Sequence, residues 1–366
     1  MFLQRDEPLT HPAVIFFYIF AGIITEPDMK FVHFLLSAII LASSGPALRA
    51  GENDDLIMKN EATAFLSNMP ENLQHIQSEA IIKAIGGNTS DLHAVRNSRN
   101  TLPPLPENIE VRQLSDRLRI YEPRTSGRKP MPALIYLHGG GWTFGSLNSC
   151  ARFCGAVASG GNIKVIAVDY RLAPENPFPA GLNDCIESLK FVSSRCDSLG
   201  IDPARIAIGG DSSGGNLAIA TALEPECKGM LNAMVLFYPV TKAYADGSDS
   251  WNRFGEGYGL DSEIMETFNR AYLAGESPRN PAVSVALCSD SDMERLPPTL
   301  LVAAGHDILR DQGIEFAERL GSRSRRIEFP EACHLFITVA GQEKAFEKAV
   351  GLTRQFLENE ELEIRN

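Results

Sequence analysis

The chain has 366 residues, 44% of them hydrophobic and 22% charged, an ordinary globular composition with enough apolar material for a large core. Its formal net charge of −12 excludes a phosphate-backbone partner, so no nucleic acid is expected. No repeat, low-complexity run or block of like charge divides it.

The N-terminus does not read as part of the fold. Two apolar runs, "AVIFFYIFAGIIT" (13–25) and "FVHFLLSAIILAS" (31–43), flank "EPDMK", and each is short for a membrane span. The second fits a signal peptide starting at Met29, with Lys30 ahead of the apolar stretch and small residues following it. Cleavage after Ala47 or Ala50 then gives an exported protein that is not membrane-bound. A membrane anchor built from both runs is the alternative. Residues 1–50 are therefore expected to be a targeting region, with a helical region from 51 and an extended Pro-rich connector, "TLPPLPEN" (101–108), after it.

Regular patterning begins near residue 109. "IEVRQL" and "RLRIYEP" alternate like antiparallel strands. The next runs are continuously apolar: "ALIYLH" (133–138), "IKVIAVDY" (163–170), "RIAIGG" (205–210), "NAMVLFYP" (232–239), "TLLVAAG" (299–305) and "RRIEFP" (325–330). Continuous hydrophobicity means burial on both faces, and helix-length segments such as 179–196 and 341–361 separate the runs. The expected fold class is α/β: a mostly parallel sheet of about eight strands, covered on both sides. Ligand sites in such sheets gather at the carboxyl ends of the strands.

After the first continuous strand comes "HGGGW" (138–142), three consecutive glycines that give up side chains at an entropic cost. The strand at 205–210 runs into Gly210-Asp211-Ser212-Ser213-Gly214, a G-x-S-x-G turn that opens a helix. A serine on such a turn projects its hydroxyl over the sheet edge, beside the positive end of the helix. It is a poor nucleophile until a base takes its proton. Of seven histidines, His11 and His33 lie in the targeting segment and His75 and His93 in the N-terminal helical region. His138 opens the glycine run and is read as pinning that loop. His334 follows the last strand, and Asp307, next to His306, follows the strand before it. Ser212, Asp307, His334 is the chain order of an α/β-hydrolase triad. Asp311 is the rival carboxylate, better suited to a helix N-terminal turn.

Attack on an ester carbonyl builds a tetrahedral oxyanion, which needs fixed donors where the charge appears. The glycines are expected to make room for it. Gly140 and Gly141 then lend backbone N–H groups, joined by that of Ser213.

"HGGGW", "DYRLAPENPFPA" (169–180), "GDSSGGN" and "PPTLLVAAGHDILRDQG" together resemble the hormone-sensitive-lipase-like branch of the α/β-hydrolases, from about residue 90 to 355. The resemblance implies a carboxylesterase with a helical cap, built from N-terminal helices (51–108) and an insertion at about 241–282 within a catalytic domain spanning 109–366. The insertion carries Tyr244, Trp251, Phe254, Tyr258, Phe268 and Tyr272, which suit either an acyl pocket or the packing of the cap. "YRLAPE" is read as structural, bracing the site loops through Arg171 and Glu175. Ser213 stands where alanine is usual, and "HDIL" stands for "DPL", with the aspartate kept.

The expected activity is serine-dependent hydrolysis of short- to medium-chain acyl esters, with a small-molecule ester as partner and with no cofactor or metal. An acetyl esterase for sugars or xylan and an aryl-acylamide deacetylase are the alternatives. A non-catalytic hormone-receptor-like relative is the remote one, because such receptors lack the base that His334 supplies here. Seven cysteines without CxxC spacing leave disulfides and buried free thiols equally open, and the oligomeric state is open too, a homodimer included.

Overall fold

The computed structural model describes residues 50–124 and 130–358. The targeting region read from the sequence, with His11 and His33, falls outside them apart from Ala50. Three helices come first: α1 (Ala50–Ser67), α2 (Leu73–Ile85) and α3 (Ser90–Ser98). Strands β1 (Ile109–Ser115), β2 (Leu118–Pro123) and β3 (Met131–Leu137) follow, then α4 (Ala151–Ala158) and β4 (Lys164–Val168). Next are α5 (Ala180–Ser193), β5 (Ile201–Asp211), α6 (Ser213–Leu223) and β6 (Ala233–Phe237). The last third holds α7 (Asp249–Phe254), α8 (Ser262–Leu273), β7 (Thr299–His306), α9 (Arg310–Leu320), β8 (Ser324–Cys333) and α10 (Glu343–Glu358). Four-residue helical turns occur at Cys196–Leu199 and Asp290–Met293.

All eight strands form one sheet in the order β1-β2-β4-β3-β5-β6-β7-β8. β2 pairs antiparallel with β1 and β4, and the remaining neighbours are parallel. The eight-stranded, mostly parallel sheet expected from the apolar runs is present. β5 starts four residues before the run at 205, and β8 carries on three residues past 330.

The apolar strands build two cores, because successive residues of a strand face opposite sides of the sheet. Ala133, Ile135 and Leu137 of β3 pack with Ile166, Ile208 and Leu236 on one face, beneath α5, α6 and α9. Leu134 and Tyr136 pack with Val165, Val235 and Phe237 on the other, against α4 and α10. In α10 the buried positions 345, 346, 349, 350, 353, 356 and 357 recur at helical spacing, which is why this charged segment docks along a single stripe.

The chain leaves β3 toward β4 on one side and returns to β5 on the other. That reversal opens a crevice at the carboxyl ends of β3 and β5, where the glycine run and Ser212 emerge. Over the edge lie helices from two distant stretches. Asp261 N, just before α8, donates to Gln74 Oε1 on α2 (2.8 Å), and His75 Nδ1 lies 2.9 Å from Glu263 Oε1. The insertion aromatics are mostly packed: Trp251, Phe254, Phe268 and Tyr272 are buried, whereas Tyr244 and Tyr258 are half-buried. All seven cysteines are free and buried, so the disulfide alternative is corrected: each thiol sits as a small apolar group in the packing.

Candidate active site

Ser212 occupies the turn between β5 and α6 with φ 53° and ψ −119°, a left-handed backbone that a non-glycine residue adopts only when its surroundings enforce it. The enforcement is visible. Ser212 N donates to Phe237 O (2.9 Å), and Val240 N donates to Ser212 O (3.1 Å), so the end of β6 and the segment after it clamp the turn from both sides.

The Ser212 hydroxyl lies 3.1 Å from His334 Nε2, and His334 Nδ1 lies 2.7 Å from Asp307 Oδ2. The structure thus brings Ser212, His334 and Asp307 into one hydrogen-bonded chain, drawn from three separate strand ends. With Nδ1–H donating to the carboxylate, Nε2 carries the lone pair that accepts the serine proton. Ser212 is 7% exposed and His334 and Asp307 1% each, so bulk water does not compete for these bonds. Asp307 is held in turn by Leu309 N, which donates to Oδ1 (2.9 Å). Asp311 is engaged elsewhere. Its Oδ2 accepts from Ser250 N (2.8 Å) and its Oδ1 from Arg310 Nε (2.8 Å), which hold it below the usual carboxylate range even though burial opposes them.

The loop of His334 has supports that the sequence did not signal. Gln342 Nε2 donates to His334 O (3.0 Å), and its Oε1 accepts from Cys333 N (3.0 Å). The ring of Tyr238 lies 4.3 Å from the imidazole, and its hydroxyl accepts from Ile337 N (3.1 Å). His306 makes no hydrogen bond with Asp307 among the described residues and packs against Phe254 and Tyr258.

Gly140 (φ 121°) and Gly141 (φ 59°) are both left-handed. A Cβ on Gly140 would fall 2.6 Å from Phe144 O, and one on Gly141 would fall 2.2 Å from the Phe268 ring. The protein's own packing therefore demands glycine at both positions, besides the room expected for an oxyanion. Among the described residues, the N–H groups of Gly140, Gly141 and Ser213 have no protein acceptor. His138 stays out of the proton path, with Nδ1 2.9 Å from Gly139 O and its ring stacked on Tyr170 (4.3 Å). Burial pulls its pKa below the ordinary histidine value.

The aspartate before the serine is also buried, 1% exposed. Asp211 Oδ1 accepts from Tyr136 Oη (2.9 Å) and from Gly139 N (3.0 Å). Burial pushes its pKa up to about 6, with those two donors working against the rise. In the 169–180 segment, Arg171 grips Asp184 through Nε and Nη2 at 2.9 Å, and Arg117 joins from the other side. Glu175 reaches back to α3, where Arg96 and His93 meet it.

The profile of a family described by its alpha/beta hydrolase fold matches residues 134–338, a span that includes the glycine run, Ser212, Asp307 and His334. Among curated proteins, the chain is 34% identical over 241 residues to Carboxylesterase NlhH of Mycobacterium tuberculosis, covering 64% of this chain and 75% of that one. It is 31% identical over 265 residues to Esterase LipI of the same species, covering 68% and 82%. Among solved structures, a fungal esterase from Rhizomucor miehei aligns with a TM-score of 0.65 at 28% identity, covering 78% of this chain and 96% of that one. A hyperthermophilic esterase from Pyrobaculum calidifontis aligns with a TM-score of 0.64 at 28% identity, covering 75% and 95%. On this profile and these relatives, the chain belongs to the α/β-hydrolase family, in its hormone-sensitive-lipase-like branch.

Proposed function

We propose that this protein is a serine carboxylesterase that cleaves short- to medium-chain acyl esters through an acyl-enzyme. The observation that carries this reading is the hydrogen-bonded chain from Ser212 through His334 to the buried Asp307. Ser212 Oγ attacks the ester carbonyl carbon while His334 Nε2 takes its proton. Asp307 holds the tautomer and stabilises the imidazolium without taking the proton itself. The N–H groups of Gly140, Gly141 and Ser213, unpaired among the described residues, receive the oxyanion. The tetrahedral intermediate collapses, the C–O bond to the alcohol breaks, and the imidazolium protonates the departing oxygen. Water then attacks the acyl-enzyme by the same route in reverse, giving the carboxylic acid and free Ser212. The names of the relatives, a carboxylesterase and an esterase, support the same chemistry.

The test is a panel of p-nitrophenyl esters of increasing chain length, run beside acetylated xylan, on wild type, Ser212→Ala and Ser213→Ala. Ser212→Ala should be folded and inactive and Ser213→Ala mildly affected, since only the backbone of Ser213 is used. An active Ser212→Ala overturns the assignment, and turnover of acetylated xylan alone transfers it to a carbohydrate acetyl esterase.

For localisation, the apolar run following Lys30 supports export. Expressed from Met29, the protein should leave the cytoplasm with a new N-terminus at Leu48 or Gly51. The uncleaved chain in the membrane fraction would establish an anchor instead.

A further inference from the structure

Asp211 is a buried, ionisable carboxyl group that the proton path from Ser212 to Asp307 does not use. It sits at the end of β5, one residue before the nucleophile. Among the described residues its donors come from β3 and the loop that follows it: Tyr136 Oη and Gly139 N, both to Oδ1. Its other oxygen rests against Gly139, where a Cβ would fall 2.2 Å from Oδ2 and 2.9 Å from Asp211 O. The first glycine of the run thus differs from the next two. Its backbone φ is not in the left-handed region, and what forbids a side chain there is Asp211, through both its carboxylate and its backbone carbonyl. Gly139 N–H is the first donor of the glycine loop, one and two residues ahead of the two N–H groups that carry no protein acceptor.

We propose that Asp211 is a positioning residue, its carboxylate docking the glycine loop onto the nucleophile turn so that the Gly140 and Gly141 N–H groups stand at a set distance from Ser212 Oγ. This rests on the serine-esterase reading above. Physically, the turn and the loop belong to adjacent strands, β5 and β3, that pair only as far as Leu137 and Gly210. Beyond that point no strand hydrogen bond holds one relative to the other. The Asp211–Gly139 bond continues the connection past the end of the ladder. The bond needs an acceptor oxygen at the Oδ1 position, which the Asp211 side chain supplies. An oxyanion hole depends on donors placed to within a fraction of an ångström, and a loop free to drift by one loses transition-state stabilisation while substrate still binds.

The experiment compares Asp211→Ala and Asp211→Asn with wild type on p-nitrophenyl acetate, with thermal melts on the same preparations. Asparagine keeps an acceptor oxygen for Gly139 N and alanine does not. Asp211→Ala should be folded and lose on the order of 10- to 100-fold in kcat, with KM within about threefold, somewhat less than removal of an oxyanion donor outright. Asp211→Asn should recover most of that loss. Gly139→Ala, which pushes on the same contact, should combine with Asp211→Ala less than additively. Wild-type kcat in folded Asp211→Ala, a loss confined to KM, or an Asp211→Asn as slow as Asp211→Ala would each overturn the proposal, the last by assigning the effect to charge. The esterase reading is checked separately: Ser212→Ala must abolish wild-type turnover whatever the Asp211 variants do.

Discussion

Arg96 meets Glu175 in a two-point pair, Nη1 to Oε1 at 2.7 Å and Nη2 to Oε2 at 2.9 Å. The same guanidinium donates to Thr143 O and Ala173 O, each at 2.8 Å. One side chain on α3 therefore ties an N-terminal helix to the loop just past the glycines and to the 169–180 segment, where Ala173 N in turn donates to Trp142 O (2.9 Å). Burial opposes the Glu175 charge, but the Arg96 bonds outweigh it and hold its pKa below the usual range.

Arg96→Ala should therefore lower the melting temperature by several degrees, since it takes the Arg96 bonds from two carbonyls and a half-buried carboxylate. Arg96→Lys should recover less than half of the loss, because an ammonium cannot reproduce the planar fork. Thermal melts at pH 7 to 8 check both. The sign for pH follows from the lowered pKa: the stabilisation is present above the ordinary carboxylate range and fades as pH falls through the folded value. The gap between wild type and Arg96→Ala should narrow in acid. A constant gap from pH 3 to 8 would remove the ion pair from the account.

His334→Ala and Asp307→Asn should each reduce kcat by several orders of magnitude, about 10⁴ for loss of the correct tautomer. Neither should add to Ser212→Ala, because the three act as one unit. Asp311→Asn should leave turnover within a few-fold of wild type, since its contacts are to Ser250 and Arg310. An Asp311→Asn as slow as Asp307→Asn would reverse the choice between the two carboxylates.

Gly140→Ala should lose both stability and turnover. Alanine at φ 121° is strained, and its Cβ would meet the Phe144 carbonyl, which together amount to a few kcal/mol. The loop that relieves this strain is the one lending its N–H groups, so kcat per folded molecule should fall about 10²-fold or more. Melting and kcat on one preparation check the pair of effects. Normal stability with slow turnover would mean that the loop absorbs the methyl and that only the ligand side needs glycine.

Asp211 sets a pH dependence of its own. Its pKa rises from 3.8 to about 6 on folding, chiefly by burial. A raised carboxyl contributes stability that is full below its unfolded pKa and lost as pH rises through the folded one. Tyr136, Tyr238, Tyr170 and Cys154 around it stay neutral in this window, their own pKa values raised by burial. Asp211→Asn removes the titration. Its melting temperature relative to wild type should climb between about pH 4 and 6.5 and level off above. A flat difference across that range would show that the carboxyl keeps one charge state.

Patterns carried within a few residues are legible in the chain alone: apolar strand runs, helical stripes such as that of α10, the serine turn and the glycine run. Period and turn chemistry depend on local backbone geometry, so they survive in one dimension. The order Ser212, Asp307, His334 is legible for the same reason, each residue falling at the end of a recognisable strand. What holds the site is not. Asp307 and Asp311 lie four residues apart, and the chain alone separates them only by position, Asp307 beside the strand end and Asp311 in a helix N-terminal turn. Only the packing of α7 against α9 puts Ser250 N on Asp311 and leaves Asp307 to His334. Gln342 beneath the His334 loop, Tyr238 against its ring, Arg96 across three segments and Asp211 beneath the glycines look like ordinary polar or aromatic residues in the chain. Each acts through a partner brought to it by the order of strands in the sheet, and that order arises when the two apolar cores close, not from the spacing of residues along the sequence.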